Sequence, residues 1–161
     1  MAPAVADRSA IAPGTPAPEF ALRREDGKPF TRADLIGQST VLVFYPFAFS
    51  PVCTDQLSLY QEILEEIEAR GAVVFGVSCD AIYSQKAFRK QLGVTIEQLS
   101  DFEPKGEACR AFGVYHPGGF AQRALMVIGP DAVVRWSYVA PSPGELPGAN
   151  LIFDGLDAVP A

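Results

Sequence analysis

The sequence predicts an α/β sandwich in which a central mixed sheet is flanked by helices. Two observations carry this reading. Thr40–Tyr45 and Ala72–Ser78 are near-continuous apolar runs, as in strands buried on both faces. Between them Leu57, Tyr60, Leu64 and Ile67 recur at helical spacing, so strand, helix and strand form a βαβ unit. Farther on, Arg123–Ile128 and Ala132–Tyr138 flank Gly129-Pro130-Asp131 as a hairpin, so the sheet is expected parallel first and antiparallel last.

The elements follow in order. Phe20–Arg23 and Lys28–Thr31 flank Asp26-Gly27, a turn dipeptide that suits an N-terminal hairpin. After the strand Thr40–Tyr45, the helix is expected over Pro51–Arg70, with Gly71 as its stop. Glu62, Glu65, Glu66 and Glu68 make its solvated face. A second helix is expected over Asp80–Leu92, ending at Gly93, then a short segment at Gln98–Leu99 and a brief helix near Lys105–Phe112. Past the late hairpin, the Pro/Gly-rich stretch Pro141–Gly148 leads into a closing helix at Asn150–Ala158.

Length and charge narrow the function classes. At 161 residues the chain suits one domain spanning 1–161, with residues 1–14 as a loosely ordered arm. With 48% hydrophobic and 20% charged residues it is too apolar for disorder. The apolar run Val41–Tyr45 stops at Pro46, far short of the roughly 20 residues a membrane span needs. Residues 1–12 lack the apolar core of a secretory signal, so a cytoplasmic protein with no membrane partner is expected. A net charge of −6 without Lys/Arg clusters gives no footprint for nucleic acid. The three Cys include no C-x-x-C pair, which excludes a dithiol redox motif of that kind. Cys53, Cys79, Cys109 and His116 match no ordinary zinc spacing, so neither metal nor cofactor is expected. One His, in a His-Pro-Gly-Gly turn, supplies a catalytic triad poorly and reads as a loop residue. Enzyme chemistry in this chain must come from a thiol without a histidine base.

Cys53 is that thiol. Ser50 is a good N-cap and Pro51 suits the first helical position, so Cys53 falls third, inside the first turn. There the sulfur sits among unpaired N–H groups at the positive end of the helix dipole, an environment that favours thiolate. The preceding loop leaves the carboxyl end of a strand, where open α/β sheets place their sites. A Cys taken alone is more often a small buried hydrophobe, and local physics leaves the two readings balanced.

Pro46-x-x-x-Ser50-x-x-Cys53 resembles the Pro-x-x-x-Thr/Ser-x-x-Cys signature of the peroxiredoxins, thiol peroxidases with a thioredoxin-like fold. The likeness continues through Gly76-Val77-Ser78-x-Asp80, Leu99-Ser100-Asp101, Ala111–Tyr115 and Arg123, covering about residues 15 to 140, and is most similar to the AhpE-type one-cysteine branch. The resemblance implies a thioredoxin-like sandwich and a peroxidase acting on hydrogen peroxide, alkyl hydroperoxides or peroxynitrite. It implies Cys53 as the peroxidatic nucleophile, Ser50 as the hydroxyl bonding the peroxide, Arg123 as the guanidinium facing developing charge, and Pro46 as a shield of the pocket. Read without it, Arg123 is a strand-edge surface charge and Ser50 a simple cap. The chain departs from the family with Ser50 where Thr is usual, and with Gln56 where many members carry Glu. Gln56 can still hydrogen-bond Arg123 without lowering its net charge.

No second Cys follows Cys53 at close helical spacing, so an external thiol or redoxin is expected to clear the sulfenic acid. Cys79 or Cys109 as resolving residue is the alternative, making an atypical two-cysteine enzyme. A thioredoxin-like disulfide exchanger and a non-catalytic thioredoxin-fold interaction module are the other readings. The resemblance also implies a homodimer.

Overall fold

The computed structural model describes residues 10–160. Its main sheet has seven strands: β1 (Ala21–Arg24), β2 (Pro29–Thr31), β3 (Ser39–Phe44), β4 (Ala72–Ser78), β5 (Glu97–Ser100), β8 (Ala124–Ile128) and β9 (Val134–Val139). Their spatial order is β2-β1-β5-β4-β3-β8-β9. β6 (Tyr115–His116) and β7 (Phe120–Ala121) form a separate small hairpin.

β3, β4 and β5 run parallel, with Val41 opposite Val74 and Val77 opposite Leu99. β8 and β9 add antiparallel strands on one side, while β1 joins β5 antiparallel on the other. The expected order of parallel then antiparallel is therefore corrected: the parallel strands are the centre, with antiparallel pairs on both flanks. The N-terminal hairpin joins through β1 and β5, a pairing between distant segments that no local pattern encodes.

Strand alternation divides the core in two. Val41, Val43 and Tyr45 face one side, with Leu57 and Tyr60 of α1 (Pro51–Glu62), Ile67 of α2 (Leu64–Ala69), Phe88 of α3 (Ile82–Leu92) and Ile152 of α5 (Asn150–Asp157). Leu42 and Phe44 face the other, with Phe20, Phe30, Met126 and Phe112 of α4 (Glu107–Phe112). The mixed sheet thus lies between α1, α2, α3 and α5 on one face and α4 on the other.

Several boundaries differ from expectation. The helix over Pro51–Arg70 breaks at Ile63 (φ −109°, ψ 10°) into α1 and α2, though all four expected apolar positions are buried. The helix expected from Asp80 starts at Ile82, because Ala81 before it has an extended backbone (φ −68°, ψ 156°). α4 starts at Glu107 after Gly106, whose left-handed backbone (φ 75°) leaves no room for a Cβ beside the Tyr115 ring. A short 3-10 helix at Arg32–Leu35 and the β6–β7 hairpin carry too few residues to make a period. His116, expected in a loop, lies in β6, where its ring stacks on Phe120 at 4.3 Å.

Of the arm expected over residues 1–14, residues 1–9 lie outside the described residues. Residues 10–14 are bound to the body: the Ile11 N–H donates to the Phe112 carbonyl and the Gly14 N–H to the Val134 carbonyl. These are backbone bonds, so side-chain periodicity gives no sign of them. Among the described residues no helix is long and apolar enough to cross a membrane.

Candidate active site

β3 delivers the chain to Pro46, and five residues later α1 begins. Between them Phe49 adopts a left-handed backbone (φ 70°), which costs a non-glycine residue on the order of 1 kcal/mol and marks a tight turn into the helix. Asp80, just after β4, anchors this loop. Its carboxylate accepts the Ala48 N–H at 2.8 Å and the Ser78 hydroxyl at 2.7 Å. The Gln85 amide in turn donates to the Ser78 hydroxyl at 2.9 Å and the Leu99 carbonyl at 2.8 Å. The Gly76–Asp80 segment thus holds the loop that precedes Cys53.

Cys53 is the third residue of α1, after Pro51 at the first position, as the cap signals predict. Ser50 occupies the N-cap position, but its side chain makes no capping bond. The reading of Ser50 as a simple cap is corrected, because its hydroxyl is left for other partners.

Arg123 comes from the far side of the sheet's sequence, one residue before β8, and is 2% exposed. Its three arms are all engaged. One Nη donates to the Cys53 Sγ at 3.2 Å, the other to the Gln56 Oε1 at 2.6 Å, and Nε to the Pro143 carbonyl at 2.6 Å. Gln56 is fixed one turn below by its amide donating to the Tyr60 hydroxyl at 3.3 Å, which donates to the Pro147 carbonyl at 2.7 Å. Burial pushes Tyr60 up to about 12, which keeps that hydroxyl a donor. A guanidinium held at three points is rigid, and its charge is fixed beside the sulfur.

Above this network lies an apolar cavity of about 300 Å³ lined by Pro46, Phe47, Ser50, Val52, Phe120 and Arg123. Pro46 is buried and Cys53 fully so, with its sulfur bonded to the arginine that forms part of the cavity wall. Phe120 packs on Phe47 at 5.0 Å, so the β6–β7 hairpin supplies one side of the mouth. Pro46, Ser50, Cys53 and Arg123 are therefore brought together. Pro143, Pro147 and Phe120 complete the surroundings without having been singled out in the sequence, whereas Tyr60 reads there only as a core position of the helix and Asp80 only as part of the family-like motif and the start of a helix. Pro143 and Pro147 act through backbone carbonyls, which leave no residue-type signal.

The other two thiols lie elsewhere. Cys53 packs with the α1 side of the sheet, whereas Cys79 and Cys109 pack in the opposite core. Cys79 and Cys109 contact each other: a hydrogen bond with Cys109 lowers the Cys79 thiol, and the same contact together with burial pushes Cys109 well up. His116 joins none of these groups.

Comparison with known proteins gives the family of the chain. Residues 13–137 match the AhpC/TSA family. Alkyl hydroperoxide reductase E of Mycobacterium tuberculosis is 31% identical over 150 residues, 92% of this chain and 97% of that protein. The 1-Cys peroxiredoxin PER1 of Hordeum vulgare is 32% identical over 123 residues, 68% of this chain and 56% of its own length. The crystal structure of Enterococcus faecalis AhpC superposes with a TM-score of 0.81 at 25% identity, covering 90% of each chain. With a family match over most of its length and relatives of this similarity, the chain belongs to the AhpC/TSA family of peroxiredoxins.

Proposed function

We propose that Cys53 is the peroxidatic residue of this thiol-dependent peroxidase. It reduces hydrogen peroxide, alkyl hydroperoxides or peroxynitrite through a sulfenic acid that an external thiol or redoxin resolves. The observation that carries the assignment is the Arg123 guanidinium 3.2 Å from the Cys53 sulfur, at the wall of the Pro46–Ser50 cavity.

The chemistry follows from charge. The Cys53 thiolate attacks one peroxide oxygen, forming S–O as O–O breaks; the leaving oxygen takes the electron pair and then a proton. Negative charge starts on sulfur and ends on oxygen a few ångströms away. A cation fixed beside that path stabilises both ends without reorganising. The Ser50 hydroxyl, free of the helix cap, accepts from the bound peroxide and donates to the leaving oxygen. Pro46 and the aromatic mouth limit water, which strengthens each of these contacts.

The sulfenic acid then condenses with an external thiol, releasing water, and a second external thiol attacks the outer sulfur of the mixed disulfide, forming an external disulfide and releasing Cys53 as thiolate. Cys79 and Cys109 pack in the core away from Cys53, which favours this external route over an internal resolving residue. Three free cysteines suit the reducing cytoplasm. Phe47 and Phe49, each 48% exposed beside the cavity, support a homodimer packed around this loop. The test is turnover of peroxide with a monothiol reductant. The Cys79→Ser/Cys109→Ser double variant is expected to turn over at the wild-type rate and Cys53→Ser not at all; loss of turnover in the double variant would overturn external resolution.

A further inference from the structure

Away from the peroxidatic loop, three buried side chains converge that the peroxidase chemistry leaves unused. Cys79 follows β4, Asp101 follows β5, and Cys109 is the third residue of α4. One ligand atom from each, the two Sγ atoms and a carboxylate oxygen, lie within 4.8 Å of one another. Their relative exposures are 7%, 3% and 0%, so bulk water does little for them. We propose that Cys79, Asp101 and Cys109 form a binding site for a soft divalent metal ion, zinc or a metal of similar preference.

The donors fit such an ion. Two thiolates and a carboxylate select zinc-like metals over magnesium and calcium, which require oxygen shells. Tetrahedral bonds of about 2.3 Å to sulfur and 2.0–2.2 Å to oxygen put donor atoms about 3.5–3.8 Å apart, so the spacing needs to close by at most about 1 Å. A disulfide needs sulfurs about 2 Å apart, a far larger movement inside a packed core.

Charge also favours a cation. The two Asp101 oxygens accept the backbone N–H groups of Ala108 at 3.0 Å and Cys109 at 2.8 Å, and the Cys109 thiol lies within hydrogen-bond reach of the same carboxylate. Among the described residues no Lys, Arg or His forms an ion pair with this carboxylate. A buried carboxylate facing two sulfurs is therefore held by hydrogen bonds, with no cation in ion-pair contact among the described residues. Metal binding sends the two thiol protons to solvent and moves no electrons. Each Asp101 oxygen keeps a second lone pair for the metal, and the second oxygen or a water completes four donors.

The three ligands end two neighbouring parallel strands and begin a helix, so an ion there would brace that corner. The same corner includes Asp80, which holds the Ala48 N–H in the loop before Cys53. The site is independent of the role assigned to Cys53, and its test does not use peroxide.

The full chain, reduced and freed of metal with a chelator, is titrated with Co²⁺ and then challenged with Zn²⁺. The expected result is one Co²⁺ per chain, with a near-ultraviolet sulfur-to-cobalt charge-transfer band, visible bands of tetrahedral strength and displacement by Zn²⁺. Cys79→Ser and Cys109→Ser should each weaken binding at least tenfold, and Cys53→Ser should leave it intact. Asp101→Asn keeps a helix-capping side chain while removing the charge, and should also weaken binding at least tenfold. Circular dichroism of each variant verifies that it is folded. Absence of stoichiometric Co²⁺ uptake by the folded wild type overturns the site. So does wild-type affinity in Asp101→Asn or in a folded Cys79→Ser/Cys109→Ser protein, or loss of binding in Cys53→Ser. A metal-free chain that loses two hydrogens between Cys79 and Cys109 on air exposure, instead of taking up Co²⁺, likewise overturns it in favour of a disulfide.

Discussion

Arg123→Ala tests the electrostatic core of the site. The substitution removes the donor 3.2 Å from the Cys53 sulfur and, with it, the partners of the Gln56 Oε1 and the Pro143 carbonyl, both at 2.6 Å. Loss of one preorganised donor facing developing charge costs about 2.7–4 kcal/mol in a transition state, or about 10²–10³ in rate. The stranded acceptors cost separately: about 1–3 kcal/mol each, so about 2–6 kcal/mol of stability, partly offset by no longer burying a charge. Arg123→Lys distinguishes the two effects. Its single ammonium nitrogen cannot reach three acceptors fixed around a planar fork, so it should recover only part of the rate. The assay is competition with a haem peroxidase for limiting peroxide, which reads the second-order oxidation rate of the thiol, paired with urea unfolding of each variant. A folded Arg123→Ala protein oxidised within threefold of the wild-type rate would refute the reasoning.

Ser50→Ala should slow peroxide reduction at least tenfold yet shift unfolding by less than about 0.5 kcal/mol, because no cap bond is lost, whereas a capping Ser would cost about 1 kcal/mol; urea titration and the same competition assay read both. Tyr60→Phe deletes the bond to the Pro147 carbonyl and should cost about 1 kcal/mol by chemical denaturation. The same tyrosine gives a pH signature. Unfolded, it ionises near pH 10, but folded it keeps its proton to about 12, so stability is full below pH 10 and falls as pH rises between those values, by on the order of 3 kcal/mol. Denaturation midpoints from pH 9 to 12 should flatten in part in Tyr60→Phe, where Tyr45, also raised by burial, and Cys109, raised by its contact with Cys79 and by burial, still contribute. Gly155→Ala would push a methyl to 2.6 Å from Val127 Cγ2 and 2.7 Å from the Trp136 ring, and overpacking of that kind costs about 1–3 kcal/mol in a thermal melt.

What the sequence made legible tracks the range of the interactions. The βαβ unit rests on local apolar runs, and the strands fall where those runs lie. Cys53 in the first turn of α1 follows from Ser50-Pro51, a signal three residues long. Arg123 is 70 residues from Cys53, and only the resemblance to a family joined them; locally it is a charge beside a strand. The bond from Arg123 to Gln56 was legible as a possibility because both side chains had been singled out. The carbonyls of Pro143 and Pro147 were not, since any residue offers a carbonyl. The sequence reads as a helix from Asp80, but its carboxylate serves the Ala48 loop, a partner 32 residues away that no local pattern reveals. Cys79, Asp101 and Cys109 meet only because β4 and β5 end, and α4 begins, at one corner, a consequence of sheet order rather than spacing.

The central claim is that oxygen from peroxide arrives at one sulfur. The reduced chain is treated with one equivalent of hydrogen peroxide in the presence of a sulfenic-acid trap, then digested and mapped by mass spectrometry. The account predicts a stoichiometric adduct on the Cys53 peptide, formed within seconds and missing from Cys53→Ser, with Cys79 and Cys109 unmodified. An adduct of equal extent in Cys53→Ser, or oxygen carried first by Cys79 or Cys109, would contradict it.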